Sequence, residues 1–176
     1  MTYHTRRGIM GYHVKKHSRR TPFFLGFICG IATCGLLVYY SVPKLMVITS
    51  KSSLDYKDTI KTLESAVTEN GWSFRGTENI TEELKSRIDT DLTASINTIS
   101  MCKAVYASTI LSDSESRFSA VFMPCKLAVW EDDDNSVYVS YLNAKLMGRL
   151  MGGTLYEVLG KEASSDIDSI VSAVKK

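Results

Sequence analysis

An uninterrupted apolar run, followed by alternating apolar and amphipathic segments, divides this 176-residue chain into two parts. Residues 22–42 contain no charged side chain and are almost wholly apolar. At about 1.5 Å of rise per residue, a helix of this length spans about 30 Å, which is the thickness of the hydrocarbon core of a membrane. We therefore predict a transmembrane helix over residues 22–42, with Tyr39 and Tyr40 at the level of the lipid head groups.

The segment before the apolar run is strongly basic. Residues 1–21 hold six of the 21 Lys and Arg residues and none of the 19 Asp and Glu residues. Because cytoplasmic flanks of membrane spans are rich in Lys and Arg, this tail predicts a cytoplasmic N-terminus and an extracytoplasmic C-terminal part. The tail either binds anionic membrane lipid or acts only as a topology signal. A cleaved signal peptide is the alternative to an anchor, although its apolar region is typically only about 7 to 15 residues long.

Small residues recur along one face of the predicted span. Gly26 and Gly30 form a GxxxG pair, and Cys34 continues it one turn later. Such a face allows close approach of a second helix, so we expect contact with other membrane-protein subunits through Gly26, Gly30 and Cys34. Glycine is also common in membrane spans without such a role, and that simpler interpretation stays open.

After the span, the apolar pattern predicts one domain over residues 44–176. Alternating strand and helix periods, with a hairpin around the acidic residues 131–135, indicate an α+β or α/β two-layer sandwich with a mainly antiparallel sheet. We expect Ser52 or Ser53 to cap the first helix of the domain. The predicted strands cover residues 45–48, 96–101, 126–130 and 136–142, and a further strand opens at residues 72–74. The predicted helices cover residues 54–69, 104–111, 144–151 and 164–174, and a further short helix begins at residues 81–84.

Charge and composition narrow the function of this domain. The part after the span has a net charge of about −4, which disfavours nucleic-acid binding because that needs clustered Lys and Arg. Its sequence contains no His, so a His-dependent nucleophilic triad is excluded. It also has no C-x-x-C or C-x-x-C-H motif. We therefore predict no cofactor and more readily a noncatalytic protein than an enzyme.

Two cysteines in strand-like contexts carry the most distinctive pattern. Cys102 ends the run Ile99-Ser100-Met101-Cys102, and Pro124-Cys125 opens the next strand, which leads into the acidic hairpin and the phrase Val139-Ser140-Tyr141-Leu142-Asn143. This arrangement resembles the bacterial and archaeal family called domain of unknown function 302. The resemblance extends over about residues 44–176. Two positions depart from the family pattern: Lys103-Ala104 replaces Asn-Pro after the first Cys, and Ala144 replaces Pro after Asn143.

The resemblance implies a small α+β fold, which is often dimeric, so a homodimer is one expected partner arrangement. It implies no established activity. Together with the predicted span, it suggests the inner membrane of a prokaryote, with the C-terminal domain in the periplasm. The polypeptide would then be a membrane-anchored member of the family.

Several roles remain open for Cys102 and Cys125. A disulfide between them would close a loop of about 24 residues and stabilise the domain by roughly 3 kcal/mol. Alternatively, both are buried thiols, or they form a redox-active pair or contact a haem. With Met101 and Met123 they could also supply four soft sulfur ligands for copper, as Cu(I).

The sequence favours a noncatalytic, single-span accessory or interaction subunit of a larger membrane complex. An extracytoplasmic redox or copper-binding protein that uses the Cys102/Cys125 pair is the alternative. A third hypothesis is a membrane-held protein that binds a small ligand in a groove between the sheet and the helices.

Overall fold

The computed structural model describes the backbone of residues 20–175 and, within that range, the side chains of residues 26–42 and 44–175. The basic tail predicted for residues 1–21 therefore falls almost wholly outside the described residues. Contacts divide the chain into two units, Met1–Tyr40 and Ser41–Lys176, and each is described by itself below.

Helix α1 (Arg20–Met46) contains the apolar run. Every described side chain from residue 26 to residue 42 is exposed. Within the part of the chain that the structure describes, no helix reaches the length and apolar character needed to cross a membrane.

The end of α1 corrects one prediction, because Leu45 and Met46 are helical and do not begin a strand. The backbone N–H of Asn143 donates to the carbonyl of Met46 at 2.8 Å, and Asn143 Nδ2 donates to the carbonyl of Leu45 at 2.9 Å. These bonds satisfy two carbonyls that a helix C-terminus leaves without partners. The strand therefore begins at Val47, opposite Leu142.

A five-stranded sheet forms the centre of the second unit, in the order β1-β5-β4-β3-β2. All neighbouring strands are antiparallel. The predicted α+β fold with an antiparallel sheet, including the hairpin of β4 and β5, is thus confirmed. The strands are β1 (Val47–Lys51), β2 (Ser73–Asn79), β3 (Ile96–Cys102), β4 (Cys125–Glu131) and β5 (Val137–Leu142).

The helices match most of the sequence pattern and add a segment that it missed. From Gly153 to Ser172 the chain is helical without a break, with a π-helical stretch, Tyr156–Ala163, in the middle, whereas we predicted a helix only from residue 164. The helical spacing of Leu155, Val158 and Leu159 was a usable signal for it. The helices are α2 (Tyr56–Glu69), α3 (Ile80–Ile88), α4 (Ala104–Ser112), α5 (Ala144–Met151), α6 (Gly153–Leu155) and α7 (Ser164–Ser172), with a 3₁₀ turn at Arg117–Phe122.

The N-terminus of α2 corrects another prediction. Asp55, and neither Ser52 nor Ser53, caps this helix by accepting a hydrogen bond from the N–H of Asp58 at 2.8 Å. Ser52 is buried and its hydroxyl bonds to that of Thr59 at 2.7 Å. The Ser52 hydroxyl is therefore engaged with Thr59, and the carboxylate of Asp55 caps the helix instead.

Burial alternates along β4 and β5, so one face of the sheet forms the core. Ile99, Val129 and Val139 are fully buried on that face, where they belong to the same cluster as residues of α2 and α7. Residues between them, such as Ser140 and Tyr138, are only half-buried. A second, smaller cluster joins Ile110, Leu155 and Val158.

Helix α5 and the π-helical stretch approach closely at two glycines. A Cβ on Gly148 would lie 2.5 Å from the amide nitrogen and 2.6 Å from the Cα of Gly160, distances that no side chain tolerates. Helix α5 then ends at Gly152, where φ is +71° and the N–H bonds to the carbonyl of Gly148 at 2.9 Å. The end of α5 at Met151 agrees with the helix predicted over residues 144–151, but the backbone contact of Gly148 was not predicted.

Candidate binding pocket

A pocket of about 370 Å³ lies between the two hydrophobic clusters of the domain. Tyr106 and Leu159 pack against both clusters and line the pocket, which places the cavity at their junction. Most of its wall is apolar. The principal apolar side chains are Ile110, Phe122, Met123, Leu127, Met147 and Leu159.

The connection between β3 and β4 forms one wall of this pocket. β3 ends at Cys102 and β4 begins at Cys125, with Met101 directly opposite Cys125 in the ladder. The intervening α4 and 3₁₀ turn are held to α6 by Asp113, which accepts hydrogen bonds from Ser116 Oγ at 2.7 Å and Thr154 Oγ1 at 2.8 Å. These bonds lower the pKa of the Asp113 carboxyl, so it is ionised at neutral pH and fastens this wall.

The two predicted cysteines meet at the pocket. Cys102 and Cys125 both line it, and both are free thiols. Burial, with a smaller contribution from Cys102, raises the pKa of the Cys125 thiol to about 11. The thiolate, and not the thiol, is the nucleophile and the metal ligand. Cys125 is a thiol at neutral pH and is therefore unreactive unless a metal or another group displaces its proton.

The two methionines proposed as soft ligands differ in their surroundings. Met123 lines the pocket with the cysteines. Met101 is completely buried in the core of the domain and is not part of the pocket wall. Among the described residues, no group of three or more His, Cys, Asp or Glu side chains is arranged to hold a metal ion. Three of the four sulfur side chains therefore share one cavity.

A polar cluster that sequence reasoning missed lies at the same pocket. Asp166 Oδ2 accepts hydrogen bonds from Lys103 Nζ at 2.6 Å, Trp72 Nε1 at 3.0 Å and Tyr106 OH at 3.0 Å. Lys103 Nζ also lies 4.7 Å from the centroid of the Tyr106 ring. Lys103 marks the departure from the family's Asn-Pro, but its partner is 63 positions away in the sequence. Because local sequence patterns do not relate residues this far apart, the sequence did not predict the pair.

The cluster holds Asp166 and Lys103 in their charged forms and Tyr106 in its neutral form. Although burial opposes it, the hydrogen bonds from Lys103, Trp72 and Tyr106 keep the pKa of Asp166 below its ordinary value. The hydrogen bond to Asp166 raises the pKa of Lys103. Burial, followed by the hydrogen bond to Asp166, raises the pKa of Tyr106. At neutral pH the cluster is therefore a closed ion pair with a neutral phenol, and none of these groups is poised to act as a base.

Asn143 connects the pocket rim to the start of the domain. Its side-chain oxygen caps α5 by accepting a hydrogen bond from the N–H of Leu146 at 2.9 Å. Its side-chain NH₂ donates to the carbonyl of Leu45, and its backbone N–H donates to the carbonyl of Met46. Its neighbours Leu142 and Ala144 line the pocket. The residue that replaces proline after Asn143, Ala144, thus faces the cavity without disturbing the cap.

The residues predicted for helix packing lie together on α1. Gly26, Gly30 and Cys34 line one shallow groove along this helix, with Phe27, Ile31 and Val38 beside them. Among the described residues, nothing lies within 4 Å of a Cβ built on Gly26 or Gly30. The groove is therefore open.

Comparisons with known proteins agree with this fold. Residues 48–174 match the family described as Domain of unknown function DUF302. The crystal structure of an uncharacterized conserved DUF302 protein from Bacillus stearothermophilus is similar, with a TM-score of 0.65 over 74% of this chain and 99% of that chain at 17% identity, which shows the fold alone. None of the curated proteins matches this chain. Because the family match covers well over half of its residues, the chain belongs to the DUF302 family.

Proposed function

We propose that this chain is a single-span, membrane-anchored and noncatalytic accessory subunit of a larger membrane complex, with its DUF302 domain on the extracytoplasmic side. The observation that carries this proposal is the exposure of α1. Phe27, Ile28 and Leu37 are 60%, 62% and 63% exposed, and every described neighbour from residue 26 to residue 42 is exposed as well. An apolar surface of this extent needs lipid or another protein around it.

The sequence around this surface supports lipid as the main surrounding. The uncharged run continues upstream to Pro22, beyond the residues whose side chains are described, and directly follows the basic tail. A basic flank followed by an apolar run of about 20 residues is the pattern of an anchor with its N-terminus in the cytoplasm.

The groove on α1 supports a protein partner within the membrane. Small residues at Gly26, Gly30 and Cys34 leave room for the backbone of another helix to approach. In lipid, close packing is a main source of helix association, because the apolar effect does not distinguish lipid tails from side chains. We therefore assign this groove to docking.

The chemistry of the pocket supports a noncatalytic role. Cys125 is held protonated at neutral pH, and Lys103 is paired with Asp166. The domain's sequence has no His to serve as a general base. Binding is the activity that these groups suit best.

Membrane association and complex formation can be tested on the full chain in native membranes. We expect the chain to stay with the membrane in alkaline carbonate, and protease added from the extracytoplasmic side to digest the DUF302 domain. A partner should copurify in mild detergent. Release by carbonate, or a chain that always elutes alone, would contradict the proposal.

Copper binding is a second candidate, favoured by one observation: Cys102, Cys125 and Met123 line the same cavity. Soft sulfur ligands suit Cu(I), and binding would displace the proton of Cys125. Titration with Cu(I) should then release protons and fail in Cys102→Ser and Cys125→Ser variants. Nonreducing mass spectrometry that finds a stable disulfide and no metal would sink this candidate.

A further inference from the structure

The pocket has the size and polarity of a small-molecule site, independent of whether α1 docks to a partner. Its volume of about 370 Å³ lies at the lower end of the range of about 300–1,000 Å³ that is usual for such sites. Its wall is mainly aliphatic and aromatic, and Cys125, being protonated at neutral pH, adds a small apolar surface. A compact and mostly apolar ligand fits this interior.

The pocket is open to the surface through apolar residues. Val121 and Leu142 line it and are 77% and 46% exposed. Apolar side chains at the mouth favour entry of a flexible hydrocarbon chain over that of a strongly hydrated molecule. The body of the ligand is therefore best matched by an alkyl chain.

The charged side chains of the pocket wall indicate which polar group the ligand carries at the end of its alkyl chain. These side chains are Lys103 and Lys126, and no Asp or Glu is among the residues that line the pocket. Lys126 is paired with Glu78 at 2.8 Å where both are well exposed, so its ammonium is held at the surface. A cationic ligand would find no carboxylate in the wall itself, whereas an anionic group can bond directly to the ammonium of Lys103, which keeps Asp166 as its other partner.

Lys103 has the donor capacity to hold that anionic group. An ammonium has three donors. One is used in the bond of 2.6 Å to Asp166, but the contacts with Tyr106 OH and the carbonyl of Asn70 are both long, at 3.4 Å. A ligand carboxylate can replace these weak contacts with short, charge-assisted bonds.

We propose that this pocket binds a medium-chain fatty carboxylate, with the alkyl chain among Ile110, Met123 and Leu159 and the carboxylate at Lys103. Trp72, which lines the pocket and bonds to the Asp166 that holds Lys103, lies where it would sense occupancy.

Trp72 also provides the test. The sequence has two Trp residues, and Trp130 is not among the residues that line the pocket. The full chain with Trp130→Phe, held in phosphatidylcholine nanodiscs, is titrated with decanoate below its micelle concentration while the fluorescence of Trp72 is followed. We expect a saturable change in Trp72 emission.

Two variants locate the ligand, each with a control. Ala107→Leu fills the cavity from α4 and should weaken decanoate binding roughly tenfold or more, whereas Ala104→Leu, an exposed position of the same helix outside the pocket, should not. Lys103→Met should weaken decanoate binding by roughly ten- to hundredfold but leave decanol binding nearly unchanged.

The outcomes separate the possibilities. Equal decanoate affinity in the Ala107→Leu and Ala104→Leu chains would overturn the proposed site, as would the absence of any saturable change. Equal affinity in Lys103→Met would overturn the role of the carboxylate. Circular dichroism of each variant checks the fold, and should Lys103→Met fail it, Ala107→Leu still decides the site. A loss of decanoate binding would leave membrane docking untouched, so the two proposals fail separately.

Discussion

Glycines on helices lie in opposite surroundings in the two units of this chain. In the DUF302 domain, Gly148 of α5 lies against the backbone of Gly160, and a Cβ at Gly148 would be 2.5 Å from that amide nitrogen. On α1, a Cβ at Gly26 or Gly30 would meet nothing within 4 Å among the described residues. Gly148 and Gly160 pack against each other within the domain, whereas Gly26 and Gly30 have no packing partner among the described residues.

The difference shows what a run of small residues does and does not establish. At Gly148 the missing side chain is needed for two helical segments to approach, so its purpose is complete within the domain. At Gly30, no described residue packs into the space that the missing side chain leaves. Substitutions in the domain should therefore change its stability, whereas substitutions in the α1 groove should change only association.

The largest effect is expected for Gly148→Ala. The added methyl group must push apart two backbones, and overpacking of this kind costs about 3 kcal/mol or more. Chemical unfolding of the domain in the full chain, followed by circular dichroism, measures the loss. Gly35→Ala on α1 is the control, since a Cβ there has open space, and domain stability should not fall. Equal stability of Gly148→Ala and wild type would refute the closed glycine contact.

Next in size is the protection of Cys125. Its pKa is raised from 9.0 to about 11, so at neutral pH the folded domain should have about a hundredfold less Cys125 thiolate than the unfolded chain. Alkylation of Cys125 by iodoacetamide should slow by a similar factor on folding, and its rate should rise with pH up to about pH 11. Mass spectrometry of the peptide that contains Cys125 gives the rate. Fast alkylation of the folded protein at neutral pH would favour the redox alternative.

A smaller effect is expected for Asp166→Asn. The carboxylate accepts three hydrogen bonds at a site that is about three-quarters buried, so its loss should cost about 1–2 kcal/mol. A conservative control is Asp133→Asn in the exposed turn between β4 and β5, which should cost almost nothing. Unfolding at neutral pH compares the two variants.

The pH dependence of Asp166 has a definite sign. Its pKa is lower in the folded chain than in the unfolded one, so the stabilisation that it gives is complete above the unfolded value of about 4. That stabilisation is lost as the pH falls through the lower, folded value. The stability gap between wild type and Asp166→Asn should therefore narrow in acid, and a gap that widens below pH 4 would refute the assignment.

Much of the fold could be predicted from the sequence, because strands and helices are indicated by the spacing of apolar residues within short segments. The alternation in β4 and β5 and the helical spacing in α2 predict elements that the structure confirms. The cap of α2 was missed because Ser52 is drawn to Thr59, a contact that the capping preference does not contain. The helical stretch from Gly153 was missed because glycine commonly ends a helix, and Gly152 does end α5 but interrupts the helical chain at only one residue.

The candidate site was less accessible to sequence reasoning, since it depends on tertiary placement. The pattern predicted that Cys102 ends one strand and that Cys125 opens the next, and both residues line the pocket. It did not predict that Lys103 would pair with Asp166 on α7, nor that Met101 would be buried in the core and absent from the pocket wall. Partners that are distant in sequence leave no trace in local spacing.

The groove on α1 can be tested most directly by two matched substitutions in the full chain. Gly30→Leu fills the groove, whereas Ala32→Leu adds the same side chain to a residue outside it. The protein that copurifies with the wild-type chain from native membranes in mild detergent is quantified against each variant. We predict that Gly30→Leu loses most of this partner while Ala32→Leu keeps it, with no change in the unfolding of the DUF302 domain. Equal recovery with both variants would contradict docking through this groove.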